Sequence, residues 1–202
     1  MNTTILQNIA SFSAELISPE RKQILQPLIH YVQQKVQAQS TIRLNFICTH
    51  NSRRSHLSQI WAQTMANHFN IKNLYCFSGG TEATAMYPKI VETLIHQGFE
   101  IEKLSQADNP VYAVKYALNE MPIVCFSKVY QHAFNPQNEF AAIMTCNNAD
   151  EGCPVVFGAE IRIPIKYTDP KIADNTPQQM AIYAERSLQI AQEMWYVFSK
   201  IQ

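Results

Sequence analysis

The chain has 202 residues, 47% of them hydrophobic, and 16 Lys plus Arg balance 16 Asp plus Glu for a formal net charge of zero. This length predicts one globular domain with an appendage, and the neutral balance offers neither nucleic-acid phosphates nor anionic lipid a broad surface to grip. No apolar run approaches the roughly 20 residues that span a bilayer, and Met1 to Ile17 has neither a basic n-region nor a continuous apolar h-region, so the expectation is a soluble protein of the cytoplasm. Cys48, Cys76, Cys125, Cys146 and Cys153 make an odd number in a chain large enough to bury a core without staples. Free, buried or reactive thiols are therefore expected rather than a disulfide framework.

In chain order, Ile5, Ile9, Phe12, Leu16 and Ile17, then Ile24, Leu25, Leu28, Ile29, Val32 and Val36, recur at helical spacing. They predict two amphipathic helices within residues 1–40, broken at Ser18-Pro19 by a capping residue and a first-turn proline. Thr41 to Cys48 changes period to a short apolar strand, followed by the polar stretch Thr49 to Ser55 and a helix carrying Leu57, Ile60, Trp61, Met65 and Phe69. Asn73 to Ser78 reads as a second strand closed by Gly79-Gly80, and Pro88 to Gly98 as a helix ending on its glycine. Tyr112 to Leu118 and Pro122 to Phe126 pair as a hairpin across Asn119-Glu120-Met121. Phe140 to Thr145 and Arg162 to Tyr167 are two more strands, and Gln178 to Ile201 is a long closing helix. Strand and helix alternate as in an α/β fold, with no repeats, low-complexity stretches or long linkers.

The sharpest feature is Cys48-Thr49-His50-Asn51-Ser52-Arg53-Arg54-Ser55, a Cys-x5-Arg-Ser loop between a strand and a helix. A loop entering a helix N-terminus aims peptide N–H groups and the positive dipole end at one spot, which seats a tetrahedral oxyanion. The same donors favour a thiolate at Cys48. Arg54 returns to the loop's mouth, where its planar fork suits two anion oxygens, and Ser55 can donate its hydroxyl to the Cys48 sulfur. The loop has no glycine and no Gly-x4-Gly-Lys-Ser/Thr occurs anywhere, which excludes a nucleotide P-loop. Cys48, His50, Cys146 and Cys153 could in principle hold zinc, but the six residues between Cys146 and Cys153 exceed the usual ligand spacing. No metal or other cofactor is expected.

On these residues the chain resembles the low-molecular-weight protein tyrosine phosphatase superfamily, whose anion loop has this form at the end of the first strand. Ser78-Gly-Gly-Thr-Glu is similar to a family segment, making Ser78 a supporting residue. Thr145-Cys146 through Cys153-Pro154, with Asp169-Pro170 downstream, is similar to the thioredoxin-linked arsenate reductases of that superfamily. The resemblance runs from about Leu44 to Gln202. It implies a three-layer α/β sandwich around a four-stranded parallel sheet in order 2-1-3-4, a catalytic domain over 41–202 with an insertion at about 111–138, and an N-terminal helical extension over 1–40.

The resemblance further implies that Cys48 is the nucleophile, Arg54 the oxyanion clamp, Ser55 the thiolate donor, Asn51 a loop stabiliser and Asp169 the proton donor. Cys146 and Cys153 become the second and third redox thiols, and thioredoxin or a similar thiol donor the partner. Arg53 stands where many reductases have cysteine, and its side chain is expected to point away from the anion. His50 stands where glycine is usual, which predicts strain of about 1–3 kcal/mol if that position takes positive φ. Lys171 replaces the tyrosine that usually follows Asp-Pro in the phosphatases. Residues 147–152, polar and small, are expected to loop out so that the flanking cysteines can meet. Two rivals to arsenate reduction follow: a phosphotyrosine or small-phosphoester phosphatase, and a thiol redox sensor whose N-terminal helices dock a partner.

Overall fold

In a computed structural model that describes residues 1–152 and 155–202, the N-terminal segment forms α1 (Thr3–Ala10) and α2 (Pro19–Gln37). The Asn2 side chain accepts from the Thr4 N–H at 3.0 Å, and Ser18 caps α2 by accepting from the Arg21 N–H at 3.2 Å. Caps of this kind contribute about 1 kcal/mol each. Ile5 and Ile9 of α1, with Leu25, Leu28, Ile29 and Val32 of α2, form the buried stripes that the periodicity predicts.

There follow β1 (Ile42–Cys48), α3 (Arg54–His68), β2 (Leu74–Gly80), α4 (Pro88–His96), β3 (Glu100–Lys103), β4 (Tyr112–Lys115) and β5 (Ile123–Cys125). The chain continues through β6 (Phe140–Met144), α5 (Asn147–Gly152), β7 (Ala159–Pro164), a 3-10 turn at Pro170–Ala173 and α6 (Gln179–Phe198). The central sheet is fully parallel in the order β2-β1-β6-β7, which is the expected 2-1-3-4 arrangement. Helices cover both sides. On one face Leu44, Phe46, Ala141 and Ile143 join Ile60, Trp61, Met65, Tyr183, Ile190 and Met194 in the main core, which also takes in α1 and α2. Ile47, Phe140, Ala142 and Met144 alternate with these and point to the other face, where they gather Cys48, Cys146 and Ala149 of α5 into a smaller cluster.

Four details differ from the sequence expectation. The hairpin is present as β4 paired antiparallel with β5, but a third strand, β3, pairs with β4 to make a separate sheet. Glu100-Ile101-Glu102-Lys103 carries one apolar side chain, only half-buried, so this edge strand has no hydrophobic signature. Gly79 and Gly80 close β2 as its own last two residues, so the strand runs two residues past Ser78. β7 starts at Ala159, its early residues being only partly buried on the sheet's edge, and stops at Pro164, although the Ile165 N–H still donates to the Met144 carbonyl at 3.0 Å. Residues 147–152 are a helix, not a loop.

β1 and β6 are neighbours whose onward connections run to opposite sides of the sheet, so a crevice opens at their carboxyl ends, where α/β folds seat ligands. Cys48 and Cys146 both lie at that rim. Among the described residues no helix is long and apolar enough to cross a membrane.

Candidate anion-binding site

Cys48, 4% exposed, is the last residue of β1, and α3 begins at Arg54. The Cys48 Sγ lies 3.1 Å from the Ser55 Oγ. Because that Oγ accepts from the Asn51 Nδ2 at 2.8 Å, its own hydrogen is left for the sulfur. The Asn51 Oδ1 accepts in turn from the Lys128 N–H at 2.9 Å, which fixes the amide's orientation. Asn51 has φ of 44°, in the left-handed region that asparagine tolerates. His50 is not among the positive-φ residues. The strain expected at His50 is therefore absent, because the unusual backbone conformation falls one residue later.

The rest of the loop is held by its carbonyls. Thr81 N–H donates to the Cys48 carbonyl, Glu82 N–H and Thr81 Oγ1 to that of Thr49, Ser127 Oγ and Thr84 Oγ1 to that of His50, and Tyr87 N–H to that of Ser52. Carbonyls drawn outward in this way leave the peptide N–H groups to line the concave side, the arrangement of an anion nest.

Arg54 Nη1 donates to the Tyr167 carbonyl at 3.0 Å and Nη2 to Asp169 Oδ2 at 2.5 Å, while Nε is buried and has no hydrogen-bond partner. A buried guanidinium N–H without an acceptor is costly, and an oxyanion on the loop would supply one. Asp169 also accepts from the Lys171 N–H at 3.1 Å, capping the 3-10 turn. Cys48, His50, Ser52, Arg53, Arg54 and Asp169 surround about 10 Å³ of free space, room for about one water, and a tetrahedral anion there would compete with Asp169 for Arg54.

Cys146, 2% exposed, follows β6 directly. Its Sγ lies 3.5 Å from the Thr49 Oγ1 and accepts from the Ala149 N–H at 3.4 Å. The second thiol thus abuts the first residue after Cys48. Cys153 and Pro154, the other end of this segment, lie outside the described residues. Ser78 is buried, with Oγ 3.3 Å from the His56 Nδ1. His56, fully buried beneath the loop, has its pKa pushed down to about 3 by desolvation and by the Lys128 charge, so its ring is neutral and does not reach the cavity. Cys76 and Cys125 are core thiols, Cys125 pushed up to about 12 by burial. Among the described residues no cluster of His, Cys, Asp and Glu could hold a metal ion.

The buttress formed by Ser127 and Lys128 was not anticipated. Its one sequence signal is a single charged residue, Lys128, inside the apolar run from Pro122 to Tyr130.

No family model matches the sequence, and no curated protein matches it. Among solved structures, the chain is similar to an arsenate reductase in its phosphate-binding state, with a TM-score of 0.51 and 16% identity over 80% of this chain and 100% of that one. A low-molecular-weight phosphotyrosine phosphatase of Vibrio cholerae has a TM-score of 0.48 and 15% identity over 78% of this chain and 94% of its own. A thioredoxin-dependent arsenate reductase of Corynebacterium glutamicum has a TM-score of 0.41 and 16% identity over 89% of this chain and 70% of its own. The four-stranded parallel sheet of this chain, with helices on both sides, is the fold of an arsenate reductase solved in its phosphate-binding state.

Proposed function

We propose that the protein is a cytoplasmic arsenate reductase whose catalytic unit, residues 41–202, passes oxidation along Cys48, Cys146 and Cys153. Residues 1–40 serve that unit as a helical extension. The observation that carries the reading is the Cys146 sulfur 3.5 Å from the Thr49 hydroxyl on the anion loop. A phosphatase has no use for a second thiol there, whereas a reductase must take two electrons from thiols by forming a disulfide.

In this mechanism the loop amides and Arg54 hold arsenate, and the Cys48 thiolate attacks arsenic while Asp169 protonates the departing oxygen, which leaves as water. Ser55 and Asn51 steady the sulfur. The Cys146 thiolate then attacks the Cys48 sulfur. The sulfur–arsenic bonding pair stays with arsenic, which leaves as arsenite, and a Cys48–Cys146 disulfide remains. Cys153 attacks Cys146, freeing Cys48, and thioredoxin or a similar dithiol reduces the resulting Cys146–Cys153 pair. Among the described residues that surround the cavity there is no Phe, Tyr or Trp, which supports a small inorganic oxyanion over an aryl phosphate. So does Lys171, which follows Asp169-Pro170 with no aromatic wall for a substrate ring. The phosphatase alternative rests on Cys48, Arg54 and Asp169 alone.

The test is non-reducing peptide mapping after arsenate treatment. Cys48→Ser is expected to abolish both arsenate reduction and aryl phosphate hydrolysis. Cys153→Ser is expected to accumulate the Cys48–Cys146 disulfide, and Cys146→Ser to form no productive internal disulfide, while neither loses any phosphatase activity. Wild-type cycling by Cys153→Ser, or no disulfide in the unmodified chain, would replace the reductase reading with the phosphatase one.

A further inference from the structure

The two consecutive arginines of the loop grip the acid-bearing segment at two places. Arg54 reaches Tyr167 and Asp169. The Arg53 Nη2 donates to Asp174 Oδ2 at 2.7 Å and its Nε to the Tyr183 hydroxyl at 2.7 Å. Its guanidinium also stacks 3.9 Å from the centre of the Tyr87 ring. Asp174 closes the 3-10 turn that Asp169 opens, and its other oxygen accepts from the Tyr183 hydroxyl at 2.5 Å and from Gln179 Nε2 at 3.1 Å. Arg53, Asp174 and Tyr183 therefore form a closed triangle joining the anion loop, the turn and α6. Burial opposes ionisation of Asp174, but the hydrogen bonds from Tyr183 and Gln179 and the Arg53 charge prevail and hold its carboxyl below the ordinary range.

The two grips differ in what substrate does to them. An oxyanion competes with Asp169 for Arg54, so the Arg54 hold on the acid is lost when the site fills. The Arg53 hold does not involve the cavity-facing donors and survives. We propose that Arg53 is a positioning residue that, through Asp174 and Tyr183, keeps Asp169 over the loop once Arg54 has turned to the bound oxyanion. This rests on the assignment of Asp169 as proton donor made above. It also accounts for an arginine, rather than a cysteine, at this position of the loop: a planar fork can bond Asp174 and Tyr183 at once while stacking on Tyr87, which a thiol cannot.

The experiment compares Arg53→Met, Arg53→Lys, Asp169→Asn and the Arg53→Met/Asp169→Asn double variant. Turnover of arsenate and of an aryl phosphate is measured beside the phosphate dissociation constant and the melting temperature. Arg53→Met is expected to lower turnover roughly 10–100-fold, the scale of a misplacement of about 1 Å, with phosphate affinity within about twofold. Arg53→Lys, able to meet one acceptor but not both, falls between Met and wild type, and because it keeps the charge it serves if the Met variant folds poorly. The double variant is expected to be no slower than Asp169→Asn, since Arg53 acts only through that acid. Multiplicative losses in the double variant, or phosphate affinity falling in step with turnover, would overturn the proposal in favour of a general loop-holding role. If the unmodified protein binds phosphate but turns over neither substrate, the proposed function itself falls, and the inference with it.

Discussion

Lys128 is the residue whose surroundings least resemble its chemistry. It is 2% exposed, and no carboxylate pairs with it among the described residues. Its Nζ donates to the Phe126 carbonyl at 3.1 Å and lies 4.4 Å from the Phe126 ring centre and 5.5 Å from that of Phe134. Desolvation pushes its pKa down to about 8, against the pull of Cys125. The unfolded chain, titrating at about 10.5, then binds the extra proton between pH 8 and pH 10.5, so this group's contribution to stability rises with pH across that window. Lys128→Met removes the buried charge while keeping the Asn51 contact, which is made by the backbone N–H. Urea melts at pH 7, 9 and 10.5 are expected to show the variant at least as stable as wild type at pH 7, with wild type gaining on it by up to about 3 kcal/mol as pH rises. A gap that does not move with pH would mean that the ammonium holds its proton equally in the folded and unfolded chains, so that burial does not depress its pKa. The role of Lys128 was not legible in the sequence, because its partner Asn51 is 77 positions away and the bond is made by a backbone group that any residue supplies. The Cys48 to Ser55 loop was legible because its chemistry is local: one strand end, one turn and one helix start contain the proposed nucleophile, clamp and donor.

At the scale of elements, the anion loop is a surface held from outside by β2 and by the segment after β5. Gly80 N–H donates to the Lys128 carbonyl, Tyr130 N–H donates back to the Gly80 carbonyl, and a parallel bridge joins Gly80 to Val129. A Cβ on Gly80 would stand 2.2 Å from the Glu82 carbonyl oxygen, 2.6 Å from that of Thr49 and 2.7 Å from the Asn51 nitrogen, all backbone atoms. One on Gly79 would meet the Tyr130 Cα at 2.4 Å. The paired glycines therefore do more than end the strand: they let two backbones close on it. Gly80→Ala is expected to displace the loop at a cost of about 1–3 kcal/mol, weakening phosphate protection of Cys48 against iodoacetate by about 5–150-fold. Gly79→Ala, which presses on Tyr130 instead, should cost stability with a smaller loss of protection. Equal protection in Gly80→Ala and wild type would show that the loop yields freely. α5 was missed for a related reason: Asn147 to Gly152 lacks apolar periodicity, and the helix rests on Ala149 in the small cluster and on Asp150 ion pairs to Arg162 and Lys166.

Across the whole molecule, the N-terminal helices share one core with the sheet. Arg21 of α2 meets Glu193 of α6 through two hydrogen bonds, Nε to Oε1 at 2.9 Å and Nη2 to Oε2 at 2.7 Å, with the Glu193 side chain only 3% exposed. The same guanidinium stacks 4.8 Å from the centre of the Tyr167 ring, the residue whose carbonyl holds Arg54. One side chain thus connects the first long helix, the last helix and the strand end behind the anion site. Removing it leaves the Glu193 charge buried, with Gln189 Nε2 donating at 3.0 Å and the Tyr167 hydroxyl as a neighbouring side-chain donor among the described residues. Arg21→Met is expected to cost about 3–5 kcal/mol, which in a domain of this size lowers the melting temperature by roughly 6–20 °C. Arg21→Met with Glu193→Leu is expected to recover most of that loss, because an apolar pair of similar volume needs no desolvation of charge. Calorimetry of the two variants separates the causes. Recovery in the double variant assigns the loss to an unpaired buried carboxylate. A double variant no more stable than Arg21→Met would mean that the packing of Arg21 against Tyr167, and not its charge, joins the N-terminal helices to the site.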